Sequence, residues 1–190
     1  MARKRTLRDS RLIDALEIFP HEPFEETVWR VVREGRDPLQ CAASGGRWDD
    51  GSFDVLYTSR MSDEAIAEMY FHLQRALPVF PSQTRYGLFE LRVSLAAVMT
   101  LKMSDLASLG LDAERFGQLS YNERNQEYPR TQEIAEVARF LDCDGLMAPN
   151  ARWDCANLVI FCDRLKPAAV EVARDHGLID WDLWRKANKR

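Results

Sequence analysis

The sequence predicts an α+β fold in a single domain over residues 1–190. Three observations predict it. Short β-rich runs and longer helical patterns are mixed, without the regular alternation that builds a parallel βαβ sheet. Breakers recur at short intervals: Pro20 and Pro23, Gly45-Gly46, Asp49–Ser52, Pro78 and Pro81. A mix of 46% hydrophobic and 29% charged residues in a chain of 190 is that of a globular protein able to bury one sizeable core. No G-x-G-x-x-G occurs, so a Rossmann cofactor site is not indicated.

Each element follows from local chemistry. Ser10 is placed to cap a helix over Arg11–Phe19, with Leu12, Ala15, Leu16 and Phe19 on one face. Thr27–Arg33 is β-rich, and Asp54–Thr58 is a short strand. Ser62 and Asp63 open a helix to about Ala76, striped by Ile66, Met69, Tyr70, Leu73 and Leu77. Tyr86–Leu95 and Val98–Leu101 read as two strands, and Leu106–Ser120 as short helices or loops. Pro129 starts a helix over Thr131–Leu141, aligning Ile134, Val137, Ala138 and Leu141. Gly145–Met147 and Asn157–Cys162 are apolar strands, whereas Lys166–Arg174 and Asp180–Asn188 read as peripheral helices.

Charge and composition narrow the function. A net charge of −4 argues against the whole domain binding nucleic acid electrostatically. Basic residues gather at the ends (Arg3, Lys4, Arg5, Arg8 and Arg11, then Arg185, Lys186, Lys189 and Arg190), which reads first as solvated tails and second as a polyanion contact. No run approaches the roughly 18 apolar residues of a membrane helix, and no secretory signal opens the chain, so a cytoplasmic protein is expected. Cys41, Cys143, Cys155 and Cys162 form no C-x-x-C pair and read as reduced, mostly buried thiols. His21, His72 and His176 sit at no ligand-like spacing to them, so no metal site is expected.

A few polar residues stand where chemistry could use them. Arg30 interrupts an apolar strand; such a charge must reach solvent, a carboxylate or a phosphate, and the arginine fork suits a pyrophosphate. Arg47 follows two glycines that let backbone approach a ligand, or it is an exposed turn arginine. Tyr57 ends a strand, positioned to stack on a planar heterocycle or to fill the core; Thr58 and Ser59 beside it could cap or bond a ligand. Glu68 lies opposite its helix's apolar stripe, facing either solvent or a cleft, where a carboxylate stabilises an oxocarbenium-like sugar. Asn150 follows Pro149 as a turn residue or ligand contact, and Arg152 beside it adds a cation or pairs with Asp154. The polar loop Ser120–Pro129 reads as solvated, with contacts at the cleft as the second reading.

Five pieces in order resemble the RES domain over roughly residues 24–165: VWRVVREGRDPL at 28–39, GGRW at 45–48, LYTS at 56–59 with AIAE ending at Glu68, GLMAPNAR at 145–152 and NLVIF at 157–161. Asp49 stands where the family usually has Asn after GGRW, and Asn150 stands at its serine position. The resemblance implies an ADP-ribosyltransferase-like core of two small, mostly antiparallel sheets around a cleft with flanking helices. It implies a toxin of a type II toxin–antitoxin pair that acts on NAD+ as substrate, without a metal, and an Xre-like antitoxin partner. Cleavage of the nicotinamide–ribose bond would pass ADP-ribose to phosphate, water or a host protein side chain. Arg30 and Arg47 would grip the pyrophosphate or orient the ribose, Tyr57 would stack on nicotinamide, Glu68 would stabilise the ribosyl cation, and Asn150 would position substrate. Two other classes stand beside this one: a non-catalytic nucleotide- or protein-binding module, and an RNA-directed toxin that uses the basic termini.

Overall fold

The computed structural model describes residues 8–76, 85–117, 125–150 and 155–188. The elements in order are α1 (Ser10–Glu17), β1 (His21–Arg33), β2 (Val55–Ser59), α2 (Ser62–Ala76), β3 (Tyr86–Thr100), α3 (Met103–Leu106), α4 (Tyr128–Phe140), β4 (Gly145–Pro149), β5 (Ala156–Phe161), β6 (Val170–Leu178) and α5 (Trp181–Ala187). The fold is α+β, and the strands join one sheet rather than the expected two. Their order is β1-β2-β5-β4-β3-β6, and a further β1–β3 pairing closes the first five into a ring. Closure is possible because β1 and β3 are long and pair over most of their length, from His21 opposite Met99 to Arg33 opposite Tyr86. The β1–β2 seam is a single pair, Trp29 opposite Ser59.

Both faces of the inner strands are buried, which explains their near-continuous apolar runs. In β5, Leu158 and Ile160 join one core with Leu56, Leu91, Val93 and Val28. Val159 and Phe161 alternate to the other face. There they meet Leu12 and Leu16 of α1 and Ile134, Ala135, Val137 and Ala138 of α4. A third, smaller core packs Ala65 and Ile66 of α2 on Val31 of β1, flanked by Trp181 and Trp184 of α5. This contact fixes α2 beside the β1–β2 seam.

Three expectations change. Tyr86–Leu95 and Val98–Leu101 are one strand: the break between them is an irregularity opposite Glu22 and Phe24. The backbone N–H groups of Ala96 and Ala97, displaced from the ladder, donate to the Asp144 carboxylate instead. Beyond it β3 exchanges its neighbour, pairing β6 over Gly87–Val93 and β4 over Val98–Thr100. The segment expected as a helix over Lys166–Arg174 is largely β6, where an open edge beside β3 and the alternating Val170-Glu-Val172 override helix propensity. The first helix is capped by Asp9, whose side chain accepts from the Arg11 N–H, rather than by Ser10. No helix among the described residues is long and apolar enough to cross a membrane.

Candidate active site

A cleft of about 410 Å³ opens at the β1–β2 seam, within the size range of small-molecule sites. Arg30, Arg47, Tyr57, Glu68 and Asn150, the five residues singled out by sequence, all line it. They arrive from β1, the 44–51 loop, β2, α2 and the end of β4.

The 44–51 loop is organised around Asp49, which is fully buried. One carboxylate oxygen accepts from Gly45 N–H at 2.6 Å and Gly51 N–H at 3.2 Å; the other accepts from Gly46 N–H at 2.8 Å and the Tyr57 hydroxyl at 2.9 Å. The same hydroxyl accepts from the Trp48 N–H at 2.9 Å. Burial, then Asp49 beside it, pushes the Tyr57 phenol well above its usual value, so it stays protonated and donating. Gly46 is required by this packing: a Cβ there would lie 2.7 Å from the Tyr57 hydroxyl and 2.9 Å from the Asp49 carboxylate. α4 holds the loop from behind, with Gln132 donating to the Gly46 carbonyl and Thr131 to that of Arg47.

The two arginines differ. Arg30 donates to the backbone carbonyls of Pro38 at 2.6 Å and Gln40 at 3.0 Å, tying the loop after β1 back to that strand. Burial lowers its pKa to about 10, partly offset by Asp37, so it remains a cation at neutral pH. Arg47 is paired with Glu127 and lies against the rings of Phe116 and Tyr128, its carbon centre 4.8 and 5.2 Å from theirs. Its positive charge is therefore already matched within the fold.

Glu68 faces the cleft from the polar side of α2, its side chain 38% exposed. One oxygen accepts from the Asn157 amide at 3.2 Å; the other stands 4.0 Å from His72 Nε2. The Asn157 oxygen accepts in turn from Ser59 Oγ at 3.0 Å and the Asn150 amide at 3.4 Å. Just behind, Cys155 has its thiol pushed far up by burial and by the Glu64 carboxylate.

Four contributors escaped the sequence reading. Nothing local assigns Asp49, Asn157 or Glu127 a role, and nothing local ranks Ser59 above Thr58, whose hydroxyl bonds the Leu158 carbonyl. Asn157, Ser59 and Glu127 work through partners distant in sequence, whereas Asp49 gathers its own loop and Tyr57; a polar residue at the start of the apolar NLVIF run is a usable signal for Asn157. Glu127 also corrects the reading of Ser120–Pro129 as a solvated loop. It is buried beneath Arg47, and Tyr128 lines the cleft; residues 120–124, like Arg152 and Asp154, lie outside the described residues. The expectation of four reduced thiols is corrected as well. Cys41 and Cys162 form a disulfide, brought together across 121 residues with Cα atoms 6.4 Å apart, because the 34–42 loop folds back beside the end of β5. Cys143 and Cys155 are free. Among the described residues no group of three His, Cys, Asp or Glu side chains could hold a metal.

Comparison with known proteins agrees with the RES resemblance. The RES domain matches residues 27–184. Among curated protein sequences nothing matches the chain. In three dimensions it is similar to a chain in the crystal structure of the M. tuberculosis MbcT–MbcA toxin–antitoxin complex, with a TM-score of 0.76 and 19% identity, covering 96% of this chain and 99% of that one. At that identity the likeness speaks for a shared fold.

Proposed function

The chain belongs to the RES-domain family, and from that premise we propose that it is the toxin of a toxin–antitoxin pair, an enzyme that consumes NAD+. The observation that carries the reading is the convergence of Arg30, Arg47, Tyr57, Glu68 and Asn150 on one cleft. The toxin–antitoxin complex containing a chain of this fold supports a protein antitoxin as partner, and the family resemblance makes it Xre-like.

The reaction is cleavage of the bond between ribose C1′ and the nicotinamide ring nitrogen. The bonding pair leaves with nicotinamide, neutralising the pyridinium, and C1′ develops oxocarbenium character. Glu68 presents a carboxylate to that charge and Asn157 holds it in place. Arg30, a cation in the cleft lining, serves the pyrophosphate with the N–H groups that its two carbonyl partners leave. Arg47, matched by Glu127, contributes hydrogen-bond donors rather than net charge. Tyr57, its hydroxyl fixed by Asp49, offers a ring that does not turn, suited to the nicotinamide plane. Asn150 lines the wall beside them. An acceptor (phosphate, water or a protein side chain) attacks C1′ and releases its proton.

Incubation of purified protein with NAD+, with and without inorganic phosphate and a bacterial lysate, tests the reading. Phosphate-dependent nicotinamide release identifies a phosphorylase and phosphate-independent release a glycohydrolase. ADP-ribose label on a discrete lysate protein identifies a protein ADP-ribosyltransferase. Absence of nicotinamide in every arm overturns the reading in favour of a binding module. Glu68→Ala should lower turnover on the order of a hundredfold or more, the effect of losing one preorganised electrostatic contact, and should abolish growth inhibition without unfolding the chain.

A further inference from the structure

We infer that Asn157 is the positioning residue of this site, an amide that fixes the Glu68 carboxylate and is itself held in place by Ser59 and Asn150. The inference rests on the reading of Glu68 as the group that faces the reacting sugar.

The argument starts from strand register. Ser59 and Asn157 are directly opposed on the antiparallel β2 and β5, and Ala148 of β4 opposes Asn157 from the other side. Two residues beyond Ala148, Asn150 leaves β4, its N–H donating to the Cys155 carbonyl at 2.9 Å. Cross-strand partners point to the same face of a sheet, so the Ser59 hydroxyl and the Asn157 amide meet at 3.0 Å. All three side chains are buried, with Ser59 3% exposed and Asn150 and Asn157 8% each.

A primary amide has an acceptor end and a donor end. The Asn150 amide donates to the Asn157 oxygen at 3.4 Å. The Asn157 NH2 is turned to Glu68, 3.2 Å from one carboxylate oxygen. A carboxylate only accepts, so Glu68 admits only the NH2 end of Asn157; a flipped amide would set oxygen against oxygen there, and the Asn157 oxygen is thereby turned to Ser59 and Asn150. Glu68 is on a helix surface and more than a third exposed; without this contact its three side-chain torsions are free to carry the carboxylate away from the cleft. The strand-borne amide gives one oxygen a fixed address and leaves the other facing the cleft, as preorganisation requires.

Asn157→Ala should lower kcat by roughly tenfold to a hundredfold, the scale of misplacing a catalytic group by about 1 Å, with KM within about threefold of wild type. Ser59→Ala, which removes one of the two donors that hold the Asn157 oxygen, should give a smaller loss of the same kind. The discriminating measurement is a double-mutant cycle. In a Glu68→Gln background Asn157→Ala should cost little more, whereas a merely structural role would cost the same in both backgrounds. Additive losses, or full activity in Asn157→Ala, would overturn the inference. A second readout needs neither turnover nor an altered residue 157. In the 15N–1H spectrum of the full chain, Glu68→Ala should move one side-chain NH2 proton of Asn157 upfield and leave its geminal partner in place. An unmoved proton means the bond is absent and the inference fails. A wild-type protein inert towards NAD+ with that proton shifted means that the NAD+ reading fails while the positioning of Glu68 stands.

Discussion

Replacing Asp49 by alanine tests how the cleft is built. Its carboxylate receives three backbone N–H groups and the Tyr57 hydroxyl. Gly45 and Gly51 are exposed, so water takes over their N–H groups in the variant. Gly46 and Tyr57 are half-buried and are left without an acceptor. An orphaned buried donor costs about 1–3 kcal/mol, so two partly shielded ones put the loss near 3 kcal/mol, roughly a hundredfold in the folding equilibrium. Asp49→Asn keeps one accepting oxygen for Gly45 and Gly51 and turns its NH2 towards the Gly46 N–H, so its cost should fall near 1–2 kcal/mol. Urea unfolding followed by tryptophan fluorescence reports both, Trp48 being buried beside the loop. Turnover of folded Asp49→Ala should also fall, because Tyr57 loses its anchor. An Asp49→Ala protein within about 0.5 kcal/mol of wild type, the range of an ordinary surface substitution, would refute the claim that this carboxylate holds the loop.

Other outcomes follow from the same geometry. Gly46→Ala places a Cβ against the anchored Tyr57 hydroxyl and Asp49 carboxylate; a destabilisation of about 1–3 kcal/mol is expected, read as a lowered urea midpoint. Reducing the Cys41–Cys162 disulfide reopens a loop of 121 residues, worth up to about 5 kcal/mol by chain entropy, and should appear as a lower Tm with reductant that is absent in Cys41→Ser. Burial and Asp144 push the Cys143 thiol up to about 11, and burial with Glu64 pushes Cys155 up as well, so a thiol reagent at pH 8 should react slowly with native protein and promptly with two thiols in denaturant. Arg139, hydrogen-bonded to Asp163, holds that carboxyl below its usual range. Its folded-state pKa is depressed, so the contribution is present above about pH 4 and is lost as pH falls through the folded value. The pair is half-exposed and worth only about 0.5 kcal/mol, so Arg139→Ala should narrow the stability gap between pH 7 and pH 3 by about that much.

The chain's local patterns determine a good deal. Ser62-Asp63 and a 3.6-residue stripe place α2 where it stands, and Pro129 places α4. The apolar runs at 145–149 and 156–161 declare themselves as strands because both of their faces are buried. Each of the five cleft residues is a local anomaly with a bland alternative beside it, and it is the order of the RES-like pieces that joins them into one expected site. Tertiary structure decided the rest. Whether β1 and β3 close a ring is set by long-range pairing that no window of sequence contains. The fate of residues 166–174 turned on an empty edge beside β3, and local propensity could not register it. Arg47 reads as a free cation until Glu127, eighty residues on, is folded beneath it. Asn157 reads as the first residue of a strand until the β2–β5 register sets Ser59 across from it and α2 brings Glu68 to its amide. Sequence shows which groups can do chemistry. Their partners, and hence their charge, orientation and freedom, belong to contacts between residues far apart in the chain.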